Sequence, residues 1–352
     1  MLRSAGELGD FERPYPPGWL DRLSDWIDRM PGPNSLYYLG LLVVQLAYVT
    51  VLLWFNGKSP VGSIDLSRAF MVAVAPYFLW VRSYLDRVAG AAMNGFRPAL
   101  AVSDAEFLKL RYELTTLPAR STRIVTAVAI AVFLPNIALL PDSIVEQYAS
   151  SREAGLIQFG PIQLLTVTVG VVSIFHAIHQ LRMVGRIHDL AGKIDLFRSK
   201  PLYAFSGLTA RTGVSFLLLA YYLAAVRPDL VSGSPALRAL LIAMVPIAVA
   251  CFALPLRGMH LRIAAEKDRA LAEGASRFEV LIARLHERVD QGILVDADKL
   301  NMQLTGLATE RDALARVSTW PWNAATLTGF ISTLVVPALL WVITRVLQRI
   351  GL

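Results

Sequence analysis

Two groups of side chains in this sequence have the types and spacing to do chemistry. His176, His179, His188 and Asp189 fall within the stretch FHAIHQLRMVGRIHD, and His176 and His179, three residues apart, share one face of a helix. Such a pair supplies half of a metal or haem site. Membrane di-metal enzymes built on histidine use many more than the five found here. The plainer reading is interfacial histidines where a helix leaves the bilayer, so neither metal nor cofactor is expected. The second group is Thr326, Thr333, Pro337 and Thr344, which lie within about 20° of one line at 100° per residue. A hydroxyl stripe on an apolar helix either lines a narrow aqueous path or holds helices together. These four are the candidate pore-lining residues, with Pro337 freeing a carbonyl where a hinge could form.

Other chemistry finds little support. The sequence holds no glycine-rich phosphate loop, no HExxH and no GxSxG, and its one cysteine, Cys251, sits among apolar neighbours. No catalytic residue is expected, and the chain is not read as an enzyme. A proton-relay transporter would carry buried carboxylates in its spans, and the apolar segments below contain none.

The elements that must position these residues are membrane helices. The chain has 352 residues, 55% hydrophobic and 17% charged, with a mean hydropathy of +0.50. Soluble domains have about 45–50% apolar and about 25% charged residues. Seven apolar segments approach the roughly 20 residues that cross a bilayer: 35–55, 66–85, 124–140, 157–181, 205–226, 236–256 and 322–346. Backbone groups in lipid must be satisfied within the segment, so each is expected to be helical. The fold class is all-α, a polytopic membrane protein of seven transmembrane helices. The second segment is the weakest, with Pro76 inside it and Arg82 placed to snorkel at its end.

Charge sets the expected sidedness. With the amino terminus inside, 27 of the 34 lysines and arginines fall in cytoplasmic stretches, as the positive-inside rule requires. The formal charge of +7 therefore needs no nucleic-acid partner. The expected location is the inner cell membrane, with the carboxyl terminus on the far side. The first 34 residues lack the apolar core of a secretory leader. Within them, residues 18–30 form an amphipathic helix carrying Trp19 and Trp26 on its apolar face. It lies either in the headgroup region or on the protein's own cytoplasmic surface.

The domains are read as 1–34, an amphipathic cytoplasmic segment; 35–256, six spans with basic loops; 257–319, a cytoplasmic helical hairpin; and 320–352, the last span. In the hairpin, Phe278, Ile282, Leu285 and Val289 follow a narrow coiled-coil spacing, and Leu300, Leu304, Leu307 and Leu314 mark the returning helix. About 30 residues at 1.5 Å each would project it about 40 Å. One stripe per helix is too little for an independent domain, so the hairpin is expected to pack on other loops or on neighbouring copies. In Thr319-Trp320-Pro321-Trp322, Ser318 or Thr319 is the expected cap, Pro321 suits the first helical turn, and Trp320 and Trp322 join Trp19 and Trp26 as interfacial anchors. Arg182, Arg186, Lys193, Arg198, Lys200 and Arg211 form a basic rim. It either holds orientation or takes an anionic lipid or acidic ligand. Pro201 should break the helix there.

The stretches LRMVGRIHDLAGKIDLFRSKPLYAFSGLTARTG and LPLRGMHLRIAAEKDRALAE resemble multi-pass membrane proteins of bacteria, a resemblance that brings no activity with it. The overall plan is similar to that of the seven-helix ligand-gated channels that include insect odorant and gustatory receptors. That resemblance implies a cytoplasmic helical bundle built from the loop before the last span, and a last span lining the pore of a tetramer. The gustatory-type last helix carries a Thr-Tyr start and a Gln-Phe end. Here Thr333 is followed by Leu334 and no Gln-Phe follows, so no residue is carried over. The expected function is a homo-oligomeric, channel-like or ligand-sensing membrane protein. The alternative is a non-conducting scaffold that docks a partner through its hairpin.

Overall fold

The computed structural model describes residues 13–138, 145–192, 194–198, 200–227, 233–291 and 297–350. Among them every named element is a helix: α1 (Trp19–Asp28), α2 (Asn34–Phe55), α3 (Val74–Phe96), α4 (Asp104–Thr115), α5 (Ala119–Ala138), α6 (Arg152–Asp189), α7 (Ser206–Val226), α8 (Pro235–Ala253), α9 (Arg257–Asp290), α10 (Ala297–Arg316) and α11 (Ala324–Ile350). Among the described residues four helical stretches are long and apolar enough to cross a membrane: Asn34–Phe55, Arg152–Asp189, Pro201–Val226 and Leu237–Asp290, the last running through α8 into α9. Within α11, Ala324–Pro337 is a shorter apolar stretch.

Local chemistry explains the helix ends. Ser103 accepts from the Glu106 amide at 3.2 Å, Ser151 from Ala154 at 3.2 Å, and Ser234 from Leu237 at 3.2 Å. Each satisfies one of the orphan amides of a first turn. Pro235 occupies the first turn of α8, where its missing N–H costs nothing. Pro201 begins a 3-10 turn, Pro201–Tyr203, between α6 and α7, the break expected there. Pro255 sits in the 3-10 turn Leu254–Leu256, through which the helical path continues into α9.

Two expectations change, and of the two alternatives for the amphipathic helix one is met. The second apolar segment, 66–85, is not one helix: residues 66–69 are turn, Phe70–Ala73 is a 3-10 turn, and α3 runs from Val74 to Phe96. Pro76 occupies the first turn of α3, where it is tolerated, and the helix continues because its far half is buried: Ala89, Met93 and Phe96 are fully covered. The last helix starts at Ala324, with Asn323 Oδ1 accepting the Thr326 amide at 2.7 Å. Ser318 and Thr319 do not cap it, because Trp320 and Trp322 stack at 4.4 Å and hold residues 317–323 out of helix. The amphipathic helix α1 is docked on the protein. Leu20 and Ile27 are buried, the Gly18 amide donates to Leu117 O at 3.0 Å, and the Ala119 amide donates to Pro16 O at 3.0 Å.

Packing is densest where α7 meets α8, α9 meets α10 and α5 meets α6, with α3 against α6 close behind. A large core joins α3, α4, the end of α6, α7, α8 and the start of α9 through Phe96, Ile187, Phe205, Leu208, Leu256 and Met259. A second joins α1, α2 and the first half of α3 through Leu20, Tyr38, Phe78 and Leu117. Lys267 Nζ donates to Ala315 O at 2.7 Å and Val317 O at 3.0 Å, so α9 and α10 run antiparallel as a hairpin. Its stripe is only partly covered: Leu314 is buried, while Phe278, Ile282, Leu304 and Leu307 are half-buried and Val289 is exposed.

Candidate functional site

The chemistry of this chain is concentrated where α1, α3, α4 and α6 meet. On α3, Arg82 and Asp86 lie one turn apart and face the same way; on α6, His176 and Gln180 do the same. Arg82 is 2% exposed. Its Nη2 donates to Asp21 Oδ1, a buried ion pair between α3 and α1. Asp21 Oδ2 also accepts the Leu117 amide at 3.3 Å. Asp86 stands on the other side, with Oδ2 at 3.9 Å from Arg82 Nε. Its Oδ1 lies 2.7 Å from His176 Nε2 and accepts from Gln180 Nε2 at 3.1 Å. His176 Nδ1 lies 3.5 Å from Arg82 Nη2. The ring therefore donates through Nε2 to the carboxylate and accepts through Nδ1 from the guanidinium, the tautomer that both contacts fit.

An isolated buried charge is costly and persists only when paired. Here one guanidinium is shared by two carboxylates from different elements. Burial pushes the Asp21 carboxyl above the usual carboxylate range, and the Arg82 guanidinium pulls against that shift. Arg82 Nε and Nη1, Ser173 Oγ and Gln180 Oε1 are buried without a hydrogen-bond partner. Arg82, Ser173 and His176 help line a cavity of about 20 Å³ together with Tyr77 and Thr212, room for about one water molecule.

The contacts of the cluster make a charged tie between α1, α3 and α6. His176 and His179 do not converge on one point: His179 Nε2 lies 2.9 Å from Glu113 O, on α4. Among the described residues no group of three His, Cys, Asp or Glu side chains is placed to hold a metal ion. His188 is fully buried between Phe96 and Phe205, each ring centroid 5.4 Å away, with Nδ1 3.3 Å from Pro255 O. The three histidines face three different partners.

Arg82 does not snorkel, and Asp21, on the polar face of α1, is buried with it. The two have one cause. The spacing of α1 places Asp21 opposite the apolar stripe of Trp19, Leu23 and Trp26, and that polar face meets a guanidinium 61 residues further along the chain. The signal within reach was the matching pair of i, i+4 polar stripes, Arg82–Asp86 and His176–Gln180, on neighbouring helices.

The other candidates are dispersed. Thr333 Oγ1 donates to Gly329 O at 2.9 Å, and Tyr221 OH on α7 donates to the Thr333 carbonyl at 3.0 Å. Thr326 and Pro337 are half-buried like Thr333, while Ile331, Val335, Val336 and Leu339 are exposed. The Thr344 side chain lies outside the described residues. Trp19 Nε1 donates to Thr126 Oγ1 at 2.9 Å, Trp26 is 56% exposed, and Trp320 and Trp322 continue a stack from His260 to Phe252. Of the basic rim, Arg186 approaches Glu113 at 3.8 Å and Arg198 approaches Asp195 at 3.8 Å, and Arg211 lies over the Tyr84 ring at 5.7 Å. Arg182 and Lys200 are exposed, and Lys193 lies outside the described residues. No protein-family model, curated protein or solved structure matches this chain.

Proposed function

We propose that this chain is a membrane protein of the channel-like or ligand-sensing kind that works as an assembly of its own copies. In this reading it crosses the bilayer seven times, its amino terminus and hairpin are cytoplasmic, and α11 lies nearest the symmetry axis. The supporting observation is the hairpin. Val280 and Met302 are 50% and 75% exposed, and Leu281 and Leu307 line an open groove of about 630 Å³. Val289 of the coiled-coil stripe is 52% exposed as well; apolar side chains left open in water make a surface for a partner, and the spacing of that stripe suits a second copy. From the membrane side, α11 has α7 as its chief helical partner and turns Ile331, Val336 and Leu339 outward, free to meet a neighbour. The similarity in plan to seven-helix ligand-gated channels adds a tetramer to this reading.

The test is the mass of the full-length protein extracted in polymer-bounded lipid discs. Several copies per disc, reduced by Val280→Glu with Met302→Glu, is the expected result. A single copy at every concentration overturns it. Current across planar bilayers then separates a channel from a second reading, a non-conducting scaffold whose hairpin docks a signalling partner. That second reading is favoured by the Tyr221 bond to Thr333, which turns part of the hydroxyl stripe toward α7 within one protomer. An assembly that stays silent across a broad ligand panel selects it.

A further inference from the structure

The far half of α3 and the start of α7 enclose a surface groove of about 670 Å³ in which Arg87, Lys200 and Arg211 stand around a floor that includes Val88, Ala92 and Ala204. All three cations are exposed. Arg87 Nε donates to Ser83 O at 3.2 Å, and Arg211 lies over the Tyr84 ring at 5.7 Å. Neither engages a carboxylate, nor does Lys200, among the described residues. Two other exposed arginines differ: Arg186 and Arg198 each approach a carboxylate. The groove is thus a concentration of unneutralised positive charge above an apolar surface.

Its place along the helices is equally specific. Trp80, 41% exposed, stacks on Tyr84 at 5.8 Å with the rings 6° from parallel. Trp and Tyr side chains that reach the surface together, here an exposed Trp80 on a half-buried Tyr84, are characteristic of a bilayer interface. Arg87 follows Tyr84 by one turn of α3, and Arg211 lies near the start of the apolar stretch Pro201–Val226. The cations therefore sit at headgroup depth, with the aromatic pair on the acyl side. Basic pockets between helices at that depth hold anionic headgroups.

We propose that this groove is a binding site for one anionic phospholipid, with the phosphate held by Arg87, Lys200 and Arg211, the rest of the headgroup over Val88, Ala92 and Ala204, and an acyl chain running from the cations along Trp80 and Tyr84. The site belongs to a single protomer and does not depend on the assembly proposed above.

The test is native mass spectrometry of the full-length protein in detergent, titrated with phosphatidylglycerol or with phosphatidylcholine of the same chains. Retention of one phosphatidylglycerol over phosphatidylcholine is expected. The combined variant Arg87→Gln, Lys200→Gln, Arg211→Gln should lose that preference by about tenfold or more. A control variant, Arg182→Gln with Arg186→Gln and Arg198→Gln, removes equal charge outside the groove and should keep it. Equal loss in both variants would mean unspecific surface attraction and overturns the proposal, as does equal retention of the two lipids. Glycerol phosphate competing as well as the lipid would show a soluble-anion site and also overturns it. Size-exclusion profiles and helical circular dichroism matching the parent establish that the groove variant is folded; if it is not, Arg87→Lys with Arg211→Lys, which keeps charge but not the planar fork, is expected to retain most of the preference, and its complete loss of preference while folded overturns the proposal.

Discussion

Arg82 ties three elements through one guanidinium: Asp21 on α1, Asp86 on its own helix, and His176 on α6. Removing one partner of a buried pair leaves a desolvated charge and costs about 3–5 kcal/mol, whereas replacing both by apolar groups of similar size is often neutral. Asp21→Ala should therefore lower the thermal midpoint of the detergent-solubilised protein sharply, and Asp21→Leu with Arg82→Met should recover most of the loss. Asp86→Ala should cost less, because its side chain is 17% exposed where that of Asp21 is 7% exposed. Equal midpoints for the single and double variants would show that the tie contributes nothing. The residue types of this cluster are plain in the sequence, but their meeting is not. A helical wheel shows that Asp21 is on the polar face of α1 and says nothing about what that face meets. The histidines were legible as a spacing, and their partners, Asp86 for His176 and the Glu113 carbonyl for His179, depend on how α3 and α4 lie against α6.

Helix packing rests on small residues where backbones approach closely, as lipid-embedded helices commonly do. At Gly213 on α7 an added Cβ would stand 2.6 Å from the Ala248 carbonyl oxygen on α8 and 3.0 Å from Phe330 Cε2 on α11. The first of these is backbone and cannot rotate away. Gly213→Ala should force α7 from α8 and destabilise by about 1–3 kcal/mol. Gly306→Ala, on α10 with nothing within 4 Å, should instead raise the melting temperature slightly by improving helix propensity. A reversed order in the two melting temperatures would mean that the α7–α8 contact does not hold the bundle. Element existence was well marked by apolar runs and prolines: α2, α6, α7 and α8 lie where the hydropathy puts them. Ends were less so. The apolar content of 66–85 ends at Leu85, yet α3 continues because Ala89, Met93 and Phe96 are buried against α6 and α7, and burial by a distant partner leaves no mark on local hydropathy. Asn323 displaced Ser318 and Thr319 as the cap of α11 because a stack of aromatic rings holds the preceding residues, a tertiary event.

For the whole molecule, sidedness decides what every surface faces. On the positive-inside assignment the turn at 56–68 should lie on the side opposite the hairpin, and the structure gives each an exposed probe position: Val61 is 81% exposed, and Ser276 is exposed on α9. The single native thiol, Cys251, is half-buried in α8, and replacing it by Cys251→Ser provides a background without other cysteines. In sealed right-side-out vesicles, Val61→Cys should react with a membrane-impermeant maleimide, and Ser276→Cys should react only after the vesicles are opened. Inverted vesicles should reverse the order. The lipid groove adds a requirement, since anionic headgroups concentrated in the cytoplasmic leaflet lie on the hairpin's side only if Arg87 and Ser276 share a compartment. Arg87→Cys should then label together with Ser276→Cys. If Val61→Cys and Ser276→Cys label from the same side, the bilayer is crossed an even number of times between them; the hairpin then leaves the compartment of the turn only to return, and the positive-inside assignment is wrong for at least one loop. Such a result would separate the groove from the leaflet it requires, and would leave the exposed Val280 and Met302 facing a different aqueous phase from the one in which a cytoplasmic assembly is built.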